Sequence, residues 1–171
     1  MASELDGSAT GYTTLSSTLW RLREVLDHLL FKVFETQLVV SSGQTKWLAN
    51  ASRELDAALQ EVRHVEIMRA VETVSIADQL GVPPNLTLAR LIRSAPSPWD
   101  TILLEHREAL VELTGDLDRA TAALPAASDG EANGRWVAAA GDEPDEIDIV
   151  RKFLAETLAN APQASLIAFL G

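Results

Sequence analysis

Leucines recur at alternating intervals of four and three near the start of the chain, at Leu15, Leu19, Leu22, Leu26 and Leu29, and Val33 continues the series. This spacing keeps all six side chains on one side of an α-helix, whereas a strand would throw alternate residues to opposite faces. The pattern therefore predicts a helix with an apolar seam that a second helix must cover. Leu30, Phe34 and Leu38 widen the stripe, so more than one partner helix is expected. Thr13 or Thr14 is expected to cap the helix. Residues 1–12 are rich in Gly, Ser and Ala and read as a flexible N-terminus, and Ser41, Ser42 and Gly43 end the helix.

The same alternation returns at Leu48, Ala51, Leu55, Ala58, Val62 and Val65, with Thr45 as cap and the helix beginning at Lys46 and Trp47. It then blurs through Met68, Val71, Val74 and Ile76 to Leu80. Gly81, Val82, Pro83 and Pro84 stop it, with Gly in the position just past the helix end and prolines beyond. A helix of ~35 residues spans ~50 Å. Two such helices joined by a turn as short as Ser42 to Gln44 are expected to run antiparallel. Thr87 to Ser94 reads as a short connecting helix with Leu88, Leu91 and Ile92 inward. Ser97-Pro98-Trp99-Asp100 then opens a third long helix, with Ser97 as cap, Pro98 at the first helical position and Asp100 at the positive end of the dipole. Its seam is Leu103, His106, Leu110, Leu113, Leu117, Ala120 and Leu124, and Pro125 ends it.

Beyond Pro125 the character changes. Gly130, Gly134 and Gly141 lie in a stretch poor in large apolar groups, which reads as a linker over 125–144. Five of the seven residues from Asp142 to Asp148 are acidic. An amphipathic helix from about Asp145 to Asn160 is expected next, with Ile147, Val150, Phe153, Leu154 and Leu158 on one face. Pro162 interrupts it, and Leu166, Ile167, Phe169 and Leu170 close the chain. The fold expected is all-α: an elongated antiparallel bundle of three long helices over residues 13–124, with a short connecting helix. A C-terminal amphipathic helix and tail follow over 145–171.

Composition excludes several functions. The net charge is -11, with 14 basic residues scattered among 25 acidic ones, so no clustered cationic surface is available for nucleic acid and an anionic membrane would repel the chain. The chain has no cysteine, which removes disulfides and thiol chemistry. Residues 1–14 have neither a basic nor an apolar signal region, and no uncharged apolar run approaches the ~18 residues of a membrane span. A cytoplasmic location is expected.

The three histidines are the only side chains that ordinarily titrate near neutral pH, and catalytic or metal-binding patterns would centre on them. Glu61 and His64 have the Glu-x-x-His spacing of di-iron bundles, but those sites need two such motifs and further carboxylates around one cavity. With one motif, and Val62 rather than either ligand on the seam, Glu61 and His64 read as a solvated face. His28 follows Glu24 by four, the spacing of a surface pair. His106 falls on the apolar seam, where hydrogen-bonded packing is the ordinary role. No nucleophile elbow, phosphate-cradling glycine loop or His-Glu-x-x-His is present. Neither catalysis, a cofactor nor a metal is expected. What remains is apolar surface, above all a Phe-bearing amphipathic helix on an acidic tether, suited to gripping another helix or to packing as a fourth helix of the bundle.

Several passages carry a resemblance. They are Leu29-Leu30-Phe31-Lys32, the stretch from Val40-Ser41-Ser42-Gly43 to Lys46-Trp47-Leu48, Thr87-Leu88-Ala89-Arg90-Leu91-Ile92, Ala95-Pro96-Ser97-Pro98-Trp99, and the run from Leu103 to Leu110. Over about Leu15 to Leu124 the chain resembles the FlgN-type flagellar export chaperones, in the form found in high-GC Gram-positive bacteria. The resemblance implies a cytosolic chaperone that binds hook-associated proteins, the hook-filament junction subunits of the flagellum. It implies that the chaperone keeps them soluble and unassembled and delivers them to the flagellar type III export apparatus. Cargo binding in that family belongs to the C-terminal helical part. By position and amphipathicity that role falls here on Ile147, Val150, Phe153, Leu154, Leu158, Leu166, Phe169 and Leu170. The third helix of the family usually continues past the position of Leu124, whereas here Pro125 interrupts it. The alternative reading is a generic helical-bundle or coiled-coil adaptor, dimeric through the Leu15–Val33 seam; a homo-oligomer stays open in either case.

Overall fold

The computed structural model of the chain describes residues 2–122 and 163–171. The described residues are helical, joined by short turns: α1 (Ala2–Ser41), a 3-10 turn (Thr45–Trp47), α2 (Leu48–Leu80), α3 (Leu88–Ser94), α4 (Trp99–Ala122) and α5 (Gln163–Leu170). The expected linker over 125–144 and helix over 145–160 lie outside the described residues.

Helix α1 is 40 residues long and starts at Ala2, not near Thr13 or Thr14. Those threonines do not cap. Their hydroxyls donate to the carbonyl oxygens of Ala9 and Thr10 one turn earlier, at 2.9 and 3.0 Å, as threonines inside a helix do. Burial of Tyr12, three residues ahead of Leu15, extends the leucine seam toward the N-terminus. The end of α2 follows its punctuation. Gly81 has φ 64, its N–H bonds the carbonyl of Asp78, and the Val82 N–H reaches back to Ala77 at 3.0 Å. This double closure satisfies carbonyls that a helix end otherwise leaves bare. Thr87 caps α3 by accepting from the Arg90 N–H at 3.3 Å. Helix α4 starts one residue later than expected, the Pro98 carbonyl taking the first helical bond from the Ile102 N–H.

Contacts divide the chain into two compact units. Unit 1 is Met1–Leu26, Glu61–Thr114 and Pro162–Gly171; unit 2 is Asp27–Gln60 and Gly115–Ala161. In unit 1 the core comprises Tyr12, Leu15, Leu19, Leu22 and Leu26 of α1, Val62, Val65, Ile76 and Ala77 of α2, Leu88 and Leu91 of α3, and Leu103 and Leu110 of α4. A hypothetical Cβ on Gly11 would lie 3.2 Å from Ile76, and the Thr18 hydroxyl donates to Glu72 at 2.8 Å. In unit 2, Leu29, Val33, Val40, Leu48, Leu55, Leu59 and Leu117 are buried. Gln37 donates to the Ala120 carbonyl at 2.8 Å, and Lys32 is held between Glu35 and Glu54. Each leucine taken from water contributes about 1.5–3 kcal/mol, so the seams supply the main drive for folding.

One expectation about the apolar stripes is corrected, and the blurred stretch of α2 is resolved. Phe34 and Leu38 do not widen the α1 core; they are 49 % and 69 % exposed. In the second half of α2 the inward positions are Glu66, Arg69 and Thr73, while Met68, Val71 and Val74 face outward. The three-four spacing persists through Val62, Glu66, Arg69, Thr73 and Ile76, but polar residue types hide it.

Candidate functional site

The polar stretch of α2 builds a seat for α5 within unit 1. Glu66 and Arg69 lie one turn apart with their side chains 6 % exposed, and the guanidinium meets the carboxylate in a fork, Nε to Oε1 at 3.0 Å and Nη2 to Oε2 at 3.2 Å. A buried charge pair is tolerable when both members are fully engaged. The Thr73 hydroxyl turns back to the Arg69 carbonyl at 2.8 Å, so it makes no demand on the groove. The upper face of the guanidinium is covered by Phe169 of α5, its carbon 4.0 Å from the ring centroid.

Helix α5 has eight residues and buries Leu166, Phe169 and Leu170, the i, i+3, i+4 face of a short amphipathic helix. It packs on α3. Its last carbonyls are collected by α4: Arg107 donates from Nε to Leu170 O at 2.9 Å and from Nη2 to Gly171 O at 3.1 Å. A cation at a helix C-terminus also complements the dipole. Gly171 takes φ +69 and sits so close to the start of α3 that a Cβ would meet Thr87 at 3.2 Å and Ala89 at 3.3 Å. Beside α5 a groove of about 290 Å³ stays open, lined by Arg69, Thr73, Val74, Pro84, Leu86 and Phe169 among others. Its lining is mostly apolar and offers no nucleophile or acid-base pair.

The other feature of unit 1 is His106, buried on the α4 seam. Its Nε2 lies 3.0 Å from the Ser16 hydroxyl, and Trp20 meets the ring edge-on at 5.3 Å between centroids. Nδ1 is buried and has no hydrogen-bond partner among the described residues. An unpaired lone pair costs less than an unpaired N–H, so the proton belongs on Nε2, donated to Ser16. Burial away from water, with the nearby charge of Arg23, pushes the pKa of His106 down to about 4. It is a neutral structural imidazole near pH 7.

The sequence-expected binding residues divide into two groups. Leu166, Phe169 and Leu170 come together in the seat just described; Ile147, Val150, Phe153, Leu154 and Leu158 lie outside the described residues. His64 is exposed, and Glu61 is engaged by Arg21. Glu24 pairs with Arg21 at 3.1 Å rather than with His28. Among the described residues no group of three or more metal-ligating side chains comes together, and no helix is long and apolar enough to cross a membrane. Sequence reasoning missed Glu66, Arg69 and Arg107. For the first two, the signal was the unbroken three-four register through polar residues.

No curated protein and no solved structure matches the chain. Residues 11–123 of the 171 match the family model described as FlgN protein, close to the limits of the resemblance carried by Leu15 to Leu124. That match covers more than half of the chain, and the protein therefore belongs to the FlgN family, whose members are flagellar export chaperones and not enzymes.

Proposed function

We propose that this chain is a cytoplasmic chaperone of flagellar type III export, of the form found in high-GC Gram-positive bacteria. It binds hook-associated proteins, holds them soluble and unassembled, and hands them to the export apparatus. In this reading the three long helices form an antiparallel bundle, as the pairing of Gly11 with Ile76 and of Thr18 with Glu72 supports. The observation that carries the reading is the seat of α5. A surface that takes a short helix through Leu166, Phe169 and Leu170, with an apolar groove open beside it, has the character to take a helical terminus of a cargo subunit. On cargo arrival α5 leaves the seat, and its apolar face joins Ile147, Val150, Phe153, Leu154 and Leu158 in gripping the cargo. Large apolar side chains at the centre of such a patch carry most of the affinity, which makes Phe153 and Leu154 the principal anchors and Phe169 the next.

An adaptor dimerising through the Leu15–Val33 seam is disfavoured, because each of its six residues is at most 1 % exposed within the single chain. The test is co-purification with candidate hook-associated proteins and a mass measurement of the complex. Wild type is expected to form a stoichiometric complex. Phe153→Ala combined with Leu154→Ala is expected to weaken it at least tenfold with helicity unchanged. A double variant that binds as tightly as wild type removes the C-terminal grip, and a wild-type chain indifferent to every flagellar subunit removes the chaperone reading.

A further inference from the structure

Ile67, Val71 and Val74 of α2 form an outward apolar row at helical spacing, 64 %, 62 % and 42 % exposed, with Ala70 beside them. The row lies in unit 1, where Ala70 and Val74 also line the groove beside α5 and Ile67 and Val71 stand clear of it. At 100° per residue, Arg63 and Asp78 fall on the same face at its two ends. The sequence of this face is self-complementary when read backwards. If a second α2 is laid antiparallel about a two-fold axis between Ala70 and Val71, Ile67 lies opposite Val74 of the second copy. Ala70 then lies opposite the second copy's Val71, and Arg63 opposite its Asp78. Every contact occurs twice, as a two-fold interface requires.

We propose that this face of α2 is a homodimer interface, occupied by a second copy of the chain in antiparallel register. The occupant follows from the charges. A partner helix of arbitrary sequence has no reason to match a basic end and an acidic end about the same apolar centre, whereas a second copy matches both. Arg63 already has a contact within its own chain, and the second copy's carboxylate adds to it. Interdigitating aliphatic rows cross at about 20°, which keeps side chains seven or eight residues from the axis within reach; a crossing near -50° would not. Each copy carries a net charge of -11, and the resulting repulsion is screened beyond about 8 Å at physiological salt, so the local matching decides. Four small or medium apolar side chains per copy make a patch below the standard interface size, and the dimer is correspondingly weak and reversible, with a Kd on the order of tens of micromolar. None of this depends on which cargo the chain carries.

Sedimentation of the full chain across about 5 to 500 µM tests the proposal. The expected mass rises from the 18.5 kDa of one chain toward twice that value. Val71→Asp is expected to weaken association more than about a hundredfold. Arg63→Asp and Asp78→Arg alone each weaken it about tenfold, because two ion pairs are lost per dimer, and the two together restore it. The chain has no cysteine of its own, so Val71→Cys supplies a second readout: mild oxidation should link two copies, while Leu38→Cys, 69 % exposed elsewhere, should not. A wild type that stays monomeric at the highest concentration overturns the proposal. So does a charge-swapped double variant no better than the singles, or equal cross-linking at positions 38 and 71.

Discussion

Phe169 lies against the guanidinium of Arg69, 4.0 Å from carbon to ring centroid, while the same guanidinium holds the buried carboxylate of Glu66. One arginine thus serves two elements: it neutralises a charge inside α2 and gives α5 a surface to rest on. Removing Arg69 leaves Glu66 buried without its counter-charge, whereas removing both leaves an apolar groove. Arg69→Met is therefore expected to destabilise the chain by about 3–5 kcal/mol, and Glu66→Leu with Arg69→Met by much less. Urea unfolding of the three proteins checks this. A double variant as damaged as the single would mean that the pair itself, not the orphaned charge, carries the stability.

The close of α5 depends on a residue without a side chain. Gly171 combines φ +69 with a Cβ direction that points at Thr87 and Ala89. Gly171→Ala is expected to cost about 1–2 kcal/mol from the left-handed backbone alone, with the approach to the cap of α3 adding to it. Arg107→Leu should loosen the same end by a different route, leaving the carbonyls of Leu170 and Gly171 without their donor. Amide exchange along Ser165–Leu170 is the readout. Both variants should raise it there while leaving Leu19–Leu26 protected.

How much of this was legible in the sequence depends on what kind of residue fills an inward position. The seams of α1 and of the first half of α2 were readable because leucine, valine and alanine occupy every turn. The stop at Gly81 was readable because a positive-φ glycine and two prolines leave the backbone few alternatives. The start of α1 was not, since Thr13 and Thr14 are residue types favoured at caps, yet the helix runs through them and their hydroxyls bond the carbonyls one turn back. The seat of α5 was half legible. Leu166, Phe169 and Leu170 stood out as an apolar face, but nothing in the sequence singled out Arg69 and Glu66, because their burial and the cover by Phe169 are tertiary facts. Following apolar residues alone led from Val65 to Met68, Val71 and Val74, which are the residues that face out.

The neutral state of His106 makes stability depend on pH. Its folded pKa of about 4 lies below the ~6.5 of an unfolded chain, so between these values the unfolded state binds the extra proton. Stability from this group is full above pH 6.5 and is lost as the pH falls toward 4, by about 2–3 kcal/mol in all. His106→Gln, which keeps an N–H for Ser16, should unfold at a urea midpoint that falls less between pH 7 and 4.5 than the wild-type midpoint does. Ser16→Ala should cost about 1–3 kcal/mol at pH 7, because it strands the Nε2 proton. An equal acid slope in wild type and His106→Gln would assign the sensitivity to carboxylates instead.

Tyr12 separates the worth of an aromatic ring from that of its hydroxyl. The ring is 1 % exposed and stacks on Trp99 with centroids 5.9 Å apart and planes 19° from parallel. Its hydroxyl is buried with no partner among the described residues, and burial raises its pKa above the usual value of a phenol. Removing an unsatisfied buried hydroxyl relieves a desolvation cost, while removing the ring leaves a cavity. Tyr12→Phe is expected to be neutral or to stabilise by up to about 1 kcal/mol, and Tyr12→Ala to destabilise by about 3–5 kcal/mol. Thermal unfolding followed by circular dichroism distinguishes the two. If Tyr12→Ala were as stable as wild type, the α1 helix would owe nothing to the turn ahead of Leu15. If Tyr12→Phe were strongly destabilised, the hydroxyl would have a partner in solution that its burial against Trp99 does not show.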